Sequence, residues 1–138
     1  MNGPRRASCY ARDMKQPRAL IIDDDDPIRS LLSTIVRHQG ISVDTARDGT
    51  EAIENLDRDG YNVVLLDLMM PRVDGYAVLS HMREHQPELL NCTILATAVP
   101  RQSLDLNLQD EVFMVHTKPF DMRQLIADVR RCAHVDAA

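Results

Sequence analysis

Ala19-Leu20-Ile21-Ile22-Asp23-Asp24-Asp25-Asp26 and, further along, Val63-Val64-Leu65-Leu66-Asp67 are the two stretches that decide the reading of this chain. Each is an uninterrupted apolar run of strand-forming residues closed by a carboxylate. Short apolar runs without polar alternation read as strands buried on both faces, the pattern of a parallel sheet covered by helices. Two such strand ends therefore aim carboxylates at one place. Like charges held a few ångströms apart repel and raise one another's pKa, so a fold that gathers them usually supplies a cation. The pair predicts a divalent metal and something that the metal helps to bind.

Outward from these runs, the pattern alternates between short apolar segments and longer stretches of helical spacing. Strand runs fall near 18–23, 41–46, 62–67, 92–97 and 112–116, giving five βα units. The first and third are the most apolar and are expected at the centre. Asp26 before Pro27 predicts an N-cap with proline at the first helical position, followed by Ile28, Leu31, Leu32, Ile35 and Val36, with Gly40 ending the helix. Asp48-Gly49 opens a second helix that ends near Asp59-Gly60. Asp74-Gly75 opens a third with Tyr76, Val78, Leu79 and Met82 inward, and Asp121 begins the last. Between Pro100 and Asp110 the helical signal is poor, because Leu104, Leu106 and Leu108 alternate.

The 138 residues fit one compact domain with a full core, 44% of them hydrophobic and 27% charged. A formal net charge of −5 weighs against an electrostatic grip on nucleic acid or anionic lipid. Cys9, Cys92 and Cys132 show no CxxC spacing, as expected of free thiols in a reduced, cytoplasmic protein. No apolar stretch approaches a membrane helix or the centre of a signal peptide. Residues 1–17, with Arg5, Arg6, Arg12 and Lys15 against Asp13 alone, read as a flexible arm, and residues 18–138 as the folded domain. Residues 1–13 are expected to be dispensable to it.

In an open α/β sheet with right-handed crossovers, ligands bind beyond the carboxyl ends of the strands, where strand order reverses. Asp23, Asp24, Asp67, Thr97 and Lys118 all lie at or just beyond such ends. Each alone is an ordinary residue; the evidence is the set. Asp25, Asp26, Asp48 and Asp74 read as helix caps, and Met69-Met70 taken alone would be core filling. His81-Met82-Arg83-Glu84-His85 matches HxxEH, with both imidazoles on one helical face. Lacking an evident third ligand, it reads as a chance pattern on a surface helix.

Ile22-Asp23-Asp24-Asp25 with Ile28-Arg29, Leu66-Asp67-Leu68-Met69-Met70-Pro71 with Asp74-Gly75, Thr97-Ala98 and Thr117-Lys118-Pro119-Phe120 stand in a specific order and spacing. In these motifs, over about residues 18–134, the chain resembles the response-regulator receiver domain, the phosphoacceptor module of two-component signalling. The resemblance implies a flavodoxin-like, doubly wound five-stranded parallel sheet, order 2-1-3-4-5, with helices on both faces; a receiver is among the stock examples of that order. It further implies that Asp67 accepts the phosphoryl group and that Asp23, Asp24, Asp67 and the Met69 carbonyl hold Mg²⁺. Lys118 and Thr97 would face the phosphoryl oxygens, and Lys118-Pro119 would be a cis peptide. The donor would be a histidine kinase or phosphotransfer protein, and the output contact with a downstream protein by a stand-alone monomer or weak dimer. No nucleic acid, membrane or separately turned-over substrate is implied.

Departures from the family pattern carry expectations of their own. Val115 stands where the family commonly has an aromatic switch, with Phe113 two residues earlier, and the Ala-Gly-Ala turn before the last strand is absent. Met69 and Val99 occupy the two positions that tune phosphate loss, and neither side chain can orient a water, so slow self-dephosphorylation is expected. Two alternatives are a receiver-like scaffold acting without phosphate and a small aspartyl-phosphate phosphatase. The second would want an acid where Met69 stands.

Overall fold

The computed structural model describes residues 16–70 and 74–135. The expectations for residues 1–15 and for Pro71 lie outside them. Five parallel strands, β1 (Arg18–Ile22), β2 (Ser42–Ala46), β3 (Val63–Leu66), β4 (Thr93–Thr97) and β5 (Met114–Thr117), form one sheet in the order β2-β1-β3-β4-β5. Between them lie α1 (Asp26–Arg37), α2 (Gly49–Arg58), α3 (Gly75–His85), the short α4 (Leu106–Glu111) and α5 (Met122–Ala133). This is the flavodoxin-like arrangement, and β1 and β3 are adjacent interior strands, apolar throughout except for Arg18 at the start of β1.

Alternation along those strands builds two cores. Leu20, Ile22, Val64 and Leu66 face α2, α3 and α4 through Leu56, Val78, Leu79, Met82 and Leu108. Ala19, Ile21, Val63 and Leu65 face α1 and α5 through Leu32, Val36, Leu125 and Val129. Burying both faces removes the polar alternation an exposed sheet would show, which is why the strands read as continuous apolar runs. On the α5 side a polar link crosses the apolar layer. Buried Asp128 meets His116 Nε2 at 2.7 Å and accepts from the Arg131 guanidinium at 3.0 Å, tying α5 to β5 just before Lys118.

Each of these five α-helices is preceded by an aspartate whose carboxylate accepts an amide of its first turn: Asp25 from Ile28, Asp48 from Glu51, Asp74 from Ala77, Asp105 from Asn107 and Asp121 from Gln124. Such caps satisfy amides that a helix start leaves without partners and favour negative charge at the positive end of the dipole. Much of the acidic surplus is spent there. The first cap is Asp25, not the expected Asp26: Asp25 is extended, whereas Asp26 is already helical and pairs with Arg29. Proline is tolerated one place further in because first-turn amides have no helical acceptor.

Other boundaries differ for local reasons. Tyr76, expected inward, is 44% exposed, because Val78, Leu79 and Met82 already fill the buried face of α3. A 3₁₀ segment, Pro87–Cys92, absorbs the start expected for the fourth strand. The leucine alternation resolves into a 3₁₀ turn at Arg101–Ser103 and α4, where Leu104 and Leu108 are buried and Leu106 is 75% exposed. Residues 104 and 108 share a helical face; the middle leucine does not. Of the paired methionines, Met70 is core and Met69 is 60% exposed.

Candidate functional site

From β1 the chain goes first to one side of the sheet, to β2, and later to the other, to β3, so the strand order reverses between β1 and β3. Their carboxyl ends are held level by the ladder, in which Ile22 pairs with Leu66. It continues one residue further on both: the Asp23 amide donates to Ala46 O at 3.1 Å and the Asp67 amide to Ile22 O at 3.0 Å. Both aspartates are thus fixed by backbone, and both are buried. Asp24 is exposed at the rim.

Ligand atoms of Asp23, Asp24 and Asp67 all lie within 4.8 Å of one another, which no other group of three metal-ligating side chains achieves among the described residues. At an effective dielectric constant of about 20, repulsion between the ionised Asp23 and Asp67 is on the order of 3 kcal/mol. The Lys118 ammonium offsets part of it, donating to Asp23 Oδ2 at 3.2 Å and Asp67 Oδ2 at 3.3 Å. The Lys118–Pro119 bond is cis.

Burial raises the Asp23 pKa above the usual carboxylate value; the Asp25 amide on Oδ1 lowers it, the Asp67 charge raises it and Lys118 lowers it, leaving a net rise. For Lys118 burial acts to lower the pKa, but the two carboxylates outweigh it and raise the net value. The pocket keeps its lysine charged and its anions in excess. Three carboxylates whose ligand atoms lie within 4.8 Å of one another are a hard oxygen donor set of the kind Mg²⁺ prefers. The residues present fit such an ion.

The remaining predicted residues occupy the pocket's edges. The Met69 amide donates to Asp67 Oδ1 at 3.0 Å, so the Met69 backbone folds over the acid while its side chain points to solvent. Thr97 is buried at the end of β4, its hydroxyl accepting from the Val99 amide at 3.3 Å, and the Lys118 amide donates to Thr97 O at 2.9 Å. Among the described residues, the hydrogen-bonded acid and lysine set does not include Thr97.

Two supporting residues carry roles that the sequence did not announce. Arg29, one turn into α1, donates to Asp23 O at 2.7 Å and pairs with Asp26, clamping the acidic loop from below. Its spacing from Asp23 is visible in the sequence, but the target is a main-chain oxygen, which sequence does not mark. Gly75 is the other. A Cβ there would lie 2.5 Å from Asp67 O and from Leu68 Cα, both backbone atoms that cannot swing away. The start of α3 thus rests on the backbone of the phosphoacceptor candidate. Gly75→Ala is expected to lower stability by about 1–3 kcal/mol, by analogy with overpacked cores, read from urea or thermal unfolding; an unchanged midpoint would contradict the contact.

The chain matches the sequence profile of the "Response regulator receiver domain" over residues 19–130. It is 36% identical over 119 residues to the "Probable transcriptional regulator ycf27" of Porphyridium aerugineum, covering 85% of this chain and 48% of that protein. It is 34% identical over 115 residues to the "Transcriptional regulatory protein CpxR" of Escherichia coli K12, covering 82% and 47%. The chain thus spans about half the length of these curated relatives. Among solved structures, a Francisella response regulator receiver domain superposes with a TM-score of 0.76 at 28% identity, covering 86% of this chain and 98% of that one. The Thermotoga maritima response regulator TrrA, in complex with Mg²⁺ and BeF, gives 0.75 at 29%, covering 85% and 99%. Relatives named as transcriptional regulators do not fit the expectation that nucleic acid plays no part. No helix among the described residues is long and apolar enough to cross a membrane.

Proposed function

The chain belongs to the response regulator receiver domain family, and from that premise we propose that Asp67 accepts a phosphoryl group with Mg²⁺ held by Asp23, Asp24, Asp67 and the Met69 carbonyl. The observation that carries this reading is the trio of converging carboxylates faced by one lysine at 3.2 and 3.3 Å. An Asp67 oxygen attacks phosphorus in line, the bond from phosphorus to the donor breaks, and its electron pair leaves with the donor group. Lys118 neutralises charge on the phosphoryl oxygens, and Thr97, whose oxygen accepts from the Val99 amide, keeps its O–H to donate to them. Bound there, Mg²⁺ supplies further charge neutralisation. The donor is a histidine kinase or phosphotransfer protein, and the setting cytoplasmic.

The domain turns over no separate substrate and signals through a contact that depends on the acyl phosphate. In a protein built like its relatives that contact reaches a DNA-binding partner or segment; in a stand-alone receiver, another protein. Incubation with Mg²⁺ and acetyl phosphate, followed by intact mass, distinguishes the readings. Stable labelling supports a receiver, consumption of donor without label a phosphatase, and neither a scaffold.

Two expectations follow from the pocket. Mg²⁺ raises the melting temperature, because it binds the folded state only; at a hundred-fold excess over its Kd the gain is about 2.7 kcal/mol. Because the Asp23 pKa is raised on folding, its contribution to stability is greatest when protonated and is lost as pH rises through the folded value. The metal-free fold is therefore strained electrostatically at neutral pH, and the Mg²⁺ gain shrinks on acidification as Asp23 takes up its proton. A Mg²⁺ shift independent of pH between neutrality and the carboxylate range would contradict this. Separately, neither Met69 nor Val99 has a side chain able to orient a water, so the label is expected to persist in the absence of a phosphatase; its loss within seconds in Mg²⁺ buffer would refute that.

A further inference from the structure

We propose that His81 and His85, with Asp57 behind them, form a second metal site on the α2–α3 surface, taking a borderline-soft divalent ion such as Zn²⁺. The two histidines are one turn apart on α3, with ring centroids 4.5 Å apart and planes tilted by 40°, so the two imidazoles lie side by side on one face of the helix. Such a pair at i and i+4 is the spacing by which a single helix chelates Zn²⁺. Across the helix interface, Asp57 Oδ1 lies 2.8 Å from His81 Nε2. A carboxylate on one nitrogen of a ligating imidazole fixes its tautomer and orientation and raises its basicity toward the metal.

The ligand count is modest. Among the described residues only the aspartate trio brings three ligand atoms within 4.8 Å, so Asp57 acts here as a positioning residue and water completes a tetrahedral set around the two imidazoles. Three further features favour a cation at this place. His81 and His85 occupy the C-terminal half of α3 and Asp57 the last turn of α2, where both helix dipoles present their negative ends. The junction is pinned as well, because the Gln86 side chain donates to Leu56 O at 2.8 Å and holds the end of α3 against α2. Neighbouring cations are otherwise engaged: Arg83 pairs with Glu111, and Arg58 with Asn55 and Asp59.

This site is separate from the acidic pocket. Gly75, whose backbone rests on Asp67, and His85 are the two ends of α3, about 15 Å apart at 1.5 Å per residue. Ligand chemistry separates them too, since imidazole selects Zn²⁺, Ni²⁺ or Cu²⁺ over Mg²⁺. The HxxEH spacing is thus put to use without a protease: Glu84 needs no role, and Asp57, from another helix, is the acid that counts.

The test is calorimetric titration of the full chain with Zn²⁺ in saturating Mg²⁺, so that the aspartate pocket is occupied. One equivalent is expected to bind, with affinity reduced at least ten-fold in His85→Ala and lowered in Asp57→Asn, but unchanged in Asp67→Asn. His85 is solvent-exposed, so its removal leaves the fold intact; a circular dichroism melt confirms this. Absence of Zn²⁺ binding overturns the proposal. So does binding that survives His85→Ala undiminished, which would place the ion on the thiols or the acidic pocket.

Discussion

Asp67→Asn is expected to abolish acceptance of a phosphoryl group, with labelling by acetyl phosphate or a phosphohistidine donor falling by a thousand-fold or more, as for the loss of a nucleophile. The amide has nearly the shape of the carboxylate, so the Met69 amide and the Lys118 contact to Asp23 at 3.2 Å have no steric reason to change. What disappears is the anionic oxygen that attacks phosphorus. The variant also separates chemistry from stability. Removing one of two buried, repelling carboxylates relieves the metal-free fold, so its melting temperature in chelator is expected to match or exceed the parent's, while the rise on adding Mg²⁺ shrinks. Loss of labelling in a chain that melts no lower identifies Asp67 as the acceptor and excludes unfolding as the cause. Labelling at the parental rate would place the acceptor elsewhere.

Lys118→Met removes the ammonium and keeps the stem. The transfer rate is expected to fall by about 10²–10³, the usual effect of deleting one preorganised charge at a reacting oxygen. Among the described residues, no other cation then pairs with the Asp23 and Asp67 carboxylates. Breaking a buried ion pair can cost about 3–5 kcal/mol, but Lys118 is partly exposed, and screening reduces the expected loss to roughly 1–2 kcal/mol. Saturating Mg²⁺ should restore most of the stability and little of the rate, because it can replace the lysine as counter-charge but not as a donor aimed at the phosphoryl group. A variant that transfers as fast as the parent would show that Lys118 serves stability alone.

Much of this was legible in the sequence because the fold leaves strong local marks. A strand buried on both faces is mostly apolar, so β1 and β3 stand out, and the carboxylates that follow them are conspicuous against such runs. Asp48, Asp74 and Asp121 announce their helices because capping is a contact between near neighbours. Reading failed where distant parts of the chain decide the outcome. Whether Asp25 or Asp26 caps α1 depends on which residue the loop from Asp23 leaves extended, and Tyr76 is turned outward by residues already packed beneath α3. α4 is only six residues long, too short for a periodic signal. Arg29 acts on a main-chain oxygen and Gly75 through the absence of an atom, and neither target is written in the sequence. Asp57 beside His81 is the same case, since only the packing of α2 on α3 joins them.

The central claim, that carboxylates from two adjacent strand ends form a metal-assisted phosphoacceptor, is tested most directly by locating the label. The intact chain would be incubated with acetyl phosphate, with Mg²⁺ or with a chelator, then digested and its fragments weighed. One phosphoryl group per chain, on the fragment holding Asp67 and formed only when Mg²⁺ is present, is the predicted result. No label, or a label on another residue at the same yield in chelator, would contradict it.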